Sequence, residues 1–500
     1  MPSLSLTSFR TAIAEAVFEG IAAADSSLYF FAGRPQAWDG MDEDVETPVN
    51  TIPYLNTVRQ SMVYLKKIYT SDCKFMVPKH DWTDDTVFDQ YDDSYGATYA
   101  ATTVSSLNST LSGSFDITKF GEGWLVEGTG ISGDTHVVSA TTTTIELDKD
   151  IEEGAEDIIS ITLTNVSTSG AEDLADSDFY VVTAENNVYK CLDNAQGGLS
   201  TVEPTLVQEE PFGSIDGYRW KYLFTVPTSH MDEFGTTTMI PIGDPIGAAG
   251  TGIHNIKVMH KGSGYTSLTT TVTVTGDGTG CTAEAVIGED LAIESIQITE
   301  PGTGYTYASV TVESSLTGSG GVLRAIVAPP GGHGTNPVRE LCSYTLRLSK
   351  VLSFDELVNG LPAGNDYRQT GLIKDPLIFG DTTKYQNYIG TACFTIAGPF
   401  SYADVNEDDI IFDTDGKRYR IVSKPAEEPE EDVDLLVQAL DNSTPIVGQT
   451  IEYAETNAII SEVTSPNIDK YSGMILYVDN RLPYQPSEDQ LISFKSTLSF

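Results

Sequence analysis

Serines, histidines and a large excess of carboxylates are the residues of this chain that could do chemistry, and their spacing matches no catalytic pattern. Ser71-Asp72-Cys73-Lys74 fits Ser-x-x-Lys, in which a lysine activates a serine nucleophile. The Lys-Thr-Gly element that should accompany it is missing, so the match reads as chance. There is no Gly-x-Ser-x-Gly elbow and no glycine-rich phosphate loop ending in Gly-Lys-Ser/Thr, which leaves nucleotide hydrolysis by that route without a cradle. Asp408, Asp409, Asp413 and Asp415 precede Gly416, but the distant glutamate of a calcium loop is absent. Asp415-Gly416 reads more simply as a hairpin turn between Ile411-Phe412 and Tyr419–Val422. The six histidines never take His-x-x-x-His or His-Glu-x-x-His spacing, so a metal hydrolase has no ligand set. His80 and His333 stand alone and read as hydrogen-bonding loop residues. With 72 acids, carboxylate pairs are inevitable, and a glycosidase pair carries no signal without geometry. No catalytic, cofactor-binding or metal residue is therefore assigned, no cofactor is expected, and the chain is expected not to be an enzyme.

The elements that would position side chains are mostly strands. A helix is expected over residues 8–21, capped by Ser8, with Phe9, Ile13, Val17 and Ile21 on one face. The strand Leu28–Phe31 follows, then a Gly33-Arg34-Pro35 turn. A second helix is expected around Tyr54–Ile68, with Val58, Met62 and Leu65 on one stripe. β-branched runs such as 158–164 mark strands in the Ser/Thr/Gly-rich stretch 101–170. Phe179–Ala184 and Val188–Leu192 form an expected hairpin across Glu185-Asn186-Asn187. Tyr218, Trp220, Tyr222, Phe224 and Val226 alternate with Arg219, Lys221, Leu223 and Thr225, a period that places five large side chains on one sheet face. Pro227 ends the run. Residues 254–328 hold a duplication: Ile256-Lys257-Val258 and Gly262-Ser263-Gly264-Tyr265-Thr266 return forty positions later as Ile296-Gln297-Ile298 and Gly302-Thr303-Gly304-Tyr305-Thr306, and Val272-Thr273-Val274 returns thirty-eight positions later as Val310-Thr311-Val312. Two copies are too few for a solenoid, so a small inserted β module is expected, with Pro329–Pro337 as the linker out. Glu427 to Asp432 should be an exposed acidic loop. The chain closes on the strand Met474–Val478 and a turn at Pro483 and Pro486.

The fold class is thus mainly β, with α+β character minor: an antiparallel β-sandwich core with short N-terminal helices and inserted small β modules. Residues 1–100, 171–250, 336–390 and 466–500 are assigned to one discontinuous core. Residues 101–170 form a β insertion, 251–335 the duplicated glycine-rich module and 391–465 an acidic β insertion. The length of 500 residues suits roughly three folding units, and 40% hydrophobic content suffices to bury their cores. A net charge of -44 opposes phosphate backbones and anionic lipid, so neither nucleic acid nor membrane is expected as a partner. It suits a solvated acidic surface or basic protein partners. Five separated cysteines without a Cys-x-x-Cys pair fit a reducing cytoplasm. No signal peptide and no membrane span is expected.

Six segments, in order along the chain, resemble the baseplate wedge protein of contractile-tailed, T-even-like bacteriophages (the gene 8 product family). They are Gly33-Arg34 with Trp38; Pro78-Lys79-His80-Asp81-Trp82; Val188-Tyr189-Lys190-Cys191-Leu192; Asp216 through Pro227; Tyr367-Arg368-Gln369 with Asp375-Pro376-Leu377; and Ser472-Gly473, Tyr477, Asn480-Arg481 and Pro483. In the second, His80 stands where the family has a strong base. Segments 101–170, 251–335 and 391–465 find no counterpart. The resemblance implies a homodimeric structural subunit without a catalytic site, assembled in the host cytoplasm into the virion tail baseplate with other wedge proteins. Arg34, Trp38, Trp82, Tyr218, Trp220, Tyr222 and Phe224, with Arg368 and Arg481, are then core or interface anchors, and Arg34 and Arg481 are expected to hold carboxylates. The alternatives are a receptor- or carbohydrate-binding tail protein acting through the 251–335 module, and a β-rich depolymerase.

Overall fold

The computed structural model describes all residues except 1–5, 39–44, 103–104, 152–159, 248–249, 353–365, 426, 455 and 485–491. Pro486 and the first residues of the 158–164 run lie outside that set. The described chain is mainly β, built of antiparallel sheets with a few short helices. It divides into two compact units. The first holds Met1–Ala12, Phe75–Thr345 and Phe500, and the second Ile13–Lys74 and Leu346–Ser499. The segments expected as one core are thus shared between two units.

In the second unit a five-stranded sheet runs Ile389–Thr391, Met62–Ile68, Leu28–Gly33, Tyr367–Lys374, Met474–Tyr484. Its middle strand, Leu28–Gly33, is buried throughout. Leu28, Phe30 and Ala32 enter one core cluster, and Tyr29 and Phe31 the other, the period-two consequence of a sheet covered on both faces. Residues Met62–Ile68, expected to be helical, form a strand of this sheet, and the helix stops at Ile52–Ser61. Its first five residues, Met62 to Lys66, are all buried, and pairing with Leu28–Gly33 overrides the weak helical stripe. No Cβ fits at Gly33, whose backbone lies against the Ser61 carbonyl. Residues 394–464 make a separate seven-stranded sheet. It includes the Asp415-Gly416 hairpin, with Gly416 at φ 78° and Ile411 paired to Tyr419. Residues 427–432 form a loop, almost wholly exposed.

The helix Leu6–Ala22 starts before Ser8, which therefore does not cap it. Thr7, Thr11 and Ala14 are its buried residues, whereas Phe9, expected on the buried stripe, is 57% exposed.

The first unit contains a seven-stranded sheet over residues 98–164, the four-stranded sheet that holds the aromatic strand, and the duplicated module. The hairpin forms as expected: Tyr180–Val182 pairs with Asn187–Asn194 across Asn186, at φ 61°. The aromatic strand Tyr218–Thr225 departs from expectation. It is buried on both faces, and a bulge pairs Tyr189 with Tyr222 but Val188 with Phe224. Tyr218, Trp220 and Tyr222 therefore lie in one cluster, and Leu223, Phe224 and Val226 in another. The extra residue of a bulge shifts the alternation, so the five large side chains do not share one face.

The duplicated copies do not fold as two hairpins side by side. Asn255–His260 pairs with Val322–Ile326, Thr270–Gly276 with Ala308–Ser314, and Thr279–Ile287 with Ile293–Thr303. Each pairing joins one copy to the other. Thr273 pairs with Thr311 and Val272 with Val312, so the two Val-Thr-Val runs cross about their centres and a pseudo-two-fold axis passes between them. The remaining contacts obey it. Tyr265 N–H donates to Leu291 O (2.8 Å) and Tyr305 N–H to Thr251 O (3.0 Å). Ile293 N–H donates to Lys261 O (3.1 Å) and Ile253 N–H to Pro301 O (2.8 Å). The shared core is correspondingly paired, Ile253 with Ile293, Ile256 with Ile296 and Tyr265 with Tyr305.

Candidate functional site

The nine anchor residues separate into two groups, with Phe224 buried in the first unit beside Leu223 and Val226. In the first unit Tyr218, Trp220 and Tyr222 are buried with Phe88, Val181, Tyr189 and Cys191, and Trp82 packs on the same cluster with its Nε1–H donating to Ser200 Oγ at 3.2 Å. Tyr218 stacks on Trp220 with ring centres 5.4 Å apart. Its hydroxyl donates to Gly198 O (2.6 Å) and accepts from Phe88 N–H (3.2 Å).

In the second unit Arg34, Trp38, Arg368 and Arg481 converge. Arg34, at φ 55°, places its guanidinium 3.9 Å from the centre of the Trp38 ring. Trp38 Nε1–H donates to Arg481 O at 3.3 Å. Arg368 is buried and holds Pro35 O, with Asp366 at 2.8 Å. Arg481 pairs with Asp479, two residues away on its own strand. That strand, Met474–Tyr484, is the last of its sheet, and among the described residues no strand pairs its outer side. It exposes Met474 (61%), Leu476 (46%) and Leu482 (59%). An edge this long and apolar is a template for association.

Two buried ion clusters in the first unit were not anticipated from sequence. Lys190 Nζ lies 3.0 Å from Glu340 Oε2, 3.1 Å from His333 Nδ1 and 3.6 Å from the centre of the Tyr91 ring. Glu340 Oε1 accepts the Gly334 and Asn336 N–H groups, which fastens the glycine-rich linker to the hairpin. Burial pushes the Lys190 ammonium pKa down, against the pull of Glu340. His333 is fully buried rather than in an open turn, and burial first and Lys190 second hold it neutral. Beside it, burial and the charges of Arg219 and Lys221 hold His254 down to about 4.

The second cluster centres on Asp92, which is buried. Arg324 Nη2 reaches Asp92 Oδ1 at 2.5 Å and Lys257 Nζ reaches Oδ2 at 3.3 Å, while Arg324 Nη1 takes Asp93 at 3.1 Å. Although burial opposes it, these cations hold the Asp92 carboxyl far below the usual range. Lys257 and Arg324 are cross-strand neighbours of the module, and their pseudo-two-fold equivalents are Gln297 and Glu284. The basic pair is therefore what fixes one side of the module to Asp92 and Asp93.

Of the motifs weighed in sequence, His80 contacts Asp178 at 2.6 Å and meets the Tyr180 ring edge-on. Asp413 is saturated by the N–H groups of Asp415 (2.9 Å) and Lys417 (2.8 Å) and by Gln449 (2.6 Å). Asp415 and Lys417 belong to the same hairpin turn as Asp413, whereas Asp178 and Gln449 lie far from their partners in sequence and no local spacing signals them.

No protein-family model matches this chain, and no curated protein matches it.

Proposed function

We propose that the chain is a non-enzymatic structural subunit of a phage tail baseplate wedge, which pairs with a second copy and links neighbouring wedge proteins during assembly and contraction. The observation that carries this reading is the convergence of the six motif segments. Segments 78–82, 188–192 and 216–227 meet around the Trp220 cluster. Segments 33–38, 367–377 and 472–483 meet on three consecutive strands of one sheet. Such segments act as a framework, with aromatic and arginine anchors doing packing. The buried charges support the same reading, since they are spent on one another rather than presented to a substrate. The strand Met474–Tyr484 supplies an edge by which a partner can extend the sheet.

The test is size-exclusion chromatography with light scattering, on the chain alone and after mixing with the other tail proteins of its phage. The expected result is a dimer that moves into a larger complex of fixed stoichiometry. A chain that stays monomeric and ignores every tail protein overturns the proposal.

A further inference from the structure

A cleft of about 410 Å³ opens in the first unit where the 98–164 sheet, the hairpin and the duplicated module meet. Its volume falls within the range of small-molecule sites. Its lining is mostly polar: Gln90, Glu122, Asp193, Gln196, Lys257 and Lys261, with aromatic surface from Tyr95, while Trp124 beneath it is buried.

Several of these polar groups have unused hydrogen-bonding capacity. Asp193 accepts Ala195 N–H at 3.0 Å through Oδ1, and among the described residues nothing donates to its Oδ2. Glu122 accepts Lys261 N–H at 3.0 Å through Oε1, and its Oε2 is likewise unmet. Gln90 uses Oε1 on Asn255 at 3.0 Å, and among the described residues nothing accepts its amide N–H groups. The Gln196 side chain makes no bond among the described residues and sits at φ 59°, between Ala195 at φ 51° and Gly197 at φ 80°. Three successive left-handed residues are an uncommon backbone, and this one holds the lip of the cleft in place. Burial pushes both the Asp193 and the Glu122 carboxyl pKa upward, as expected of half-buried carboxylates short of donors.

We propose that this cleft binds a neutral oligosaccharide. Sugar hydroxyls both donate and accept, which matches unmet carboxylate oxygens alternating with amide donors. The C–H faces of a pyranose pack on aromatic rings. Glu122, Asp193 and Glu294 outnumber the two lysines of the lining, of which Lys257 is already paired with Asp92, so the cleft disfavours phosphate and uronate. Few of the lining side chains are apolar, so there is little to seat the side chains of a peptide.

The test is saturation-transfer NMR and calorimetry of the full chain with maltotriose, cellotriose and chitotriose, and with trigalacturonate as the charged comparison. At least one neutral trisaccharide should bind saturably at millimolar concentration, and trigalacturonate should not. Asp193→Ala and Glu122→Ala should each weaken binding about tenfold or more, the worth of a hydrogen bond to a charged group. Gln196→Ala, at a side chain with no protein partner, should weaken binding with the unfolding temperature unchanged. This variant decides the matter if the carboxylate variants fold poorly. Absence of saturable binding by all three neutral sugars, binding indifferent to all three substitutions, or equal binding of trigalacturonate overturns the proposal.

Discussion

His254 and His333 are the residues through which this protein should sense acid. Both rings are buried, 5.7 Å apart, beside Lys190, Arg219 and Lys221. The folded state keeps His254 neutral down to about pH 4, whereas an unfolded histidine protonates near 6.5. Between those values the unfolded chain binds more protons, so stability is full above 6.5 and falls as the pH drops towards 4. The loss attributable to His254 is about 3 kcal/mol at most. Urea unfolding at pH 7 and pH 4.5 should show it, and His254→Gln should flatten the difference. An unchanged slope in the variant means that the ring is not held neutral. The sequence offered His333 only as a hydrogen-bonding loop residue and did not mark His254, because their neighbours come from 190, 219 and 221. The rings of Trp38, Tyr218, Trp220 and Tyr222, by contrast, are buried as side chains of that size tend to be.

Among the elements, the duplicated module shows how an internal repeat can be closed without a third copy. Each tyrosine of the Gly-x-Gly-Tyr turns packs on a glycine of the other copy. A Cβ at Gly318 would overlap the Tyr265 ring, and one at Gly278 the Tyr305 ring. The Tyr265 hydroxyl accepts Gly321 N–H at 3.0 Å, and that of Tyr305 accepts Cys281 N–H at 3.3 Å. Gly278→Ala and Gly318→Ala should therefore each cost about 1–3 kcal/mol, by similar amounts, as overpacking does. Hydrogen exchange should show the cost spread over strands of both copies. A loss confined to the mutated copy would mean that the copies are independent. The repeat itself was plain in the sequence, but its pairing was not, since a strand pattern does not name its partner. The same gap explains Met62–Ile68. Its residues suit a helix stripe or a buried strand, and only pairing with Leu28–Gly33 decides.

At the scale of the whole molecule, the feature with most consequence for the proposed role is the unpaired edge at Met474–Tyr484. Natural sheets blunt such edges with charge. Here Arg481 is engaged with Asp479, and Met474, Leu476 and Leu482 remain exposed. Leu476→Lys and Leu482→Lys should change stability by no more than about 0.5 kcal/mol, as exposed substitutions do. They should also reduce the dimer and the co-assembly seen by light scattering. Association undiminished by both would place the contact elsewhere on the chain. The acidic balance acts at this scale too: with 72 acids against 28 bases, the surface left to meet partners is predominantly anionic.

The mainly β class, the 179–192 hairpin, the Asp415-Gly416 turn, the exposed acidic loop and the existence of the duplication could all be read from residue order. Each is set by a few adjacent residues, through period-two burial and the positive φ that Asn and Gly tolerate. The bulge that turns Phe224 away from Tyr222, the interlocking of the two copies, the Lys190–Glu340–His333 cluster and the polar cleft were settled by tertiary structure alone. They depend on burial shared between residues as many as 150 positions apart, as in Lys190 and Glu340, and such burial leaves no trace in local spacing.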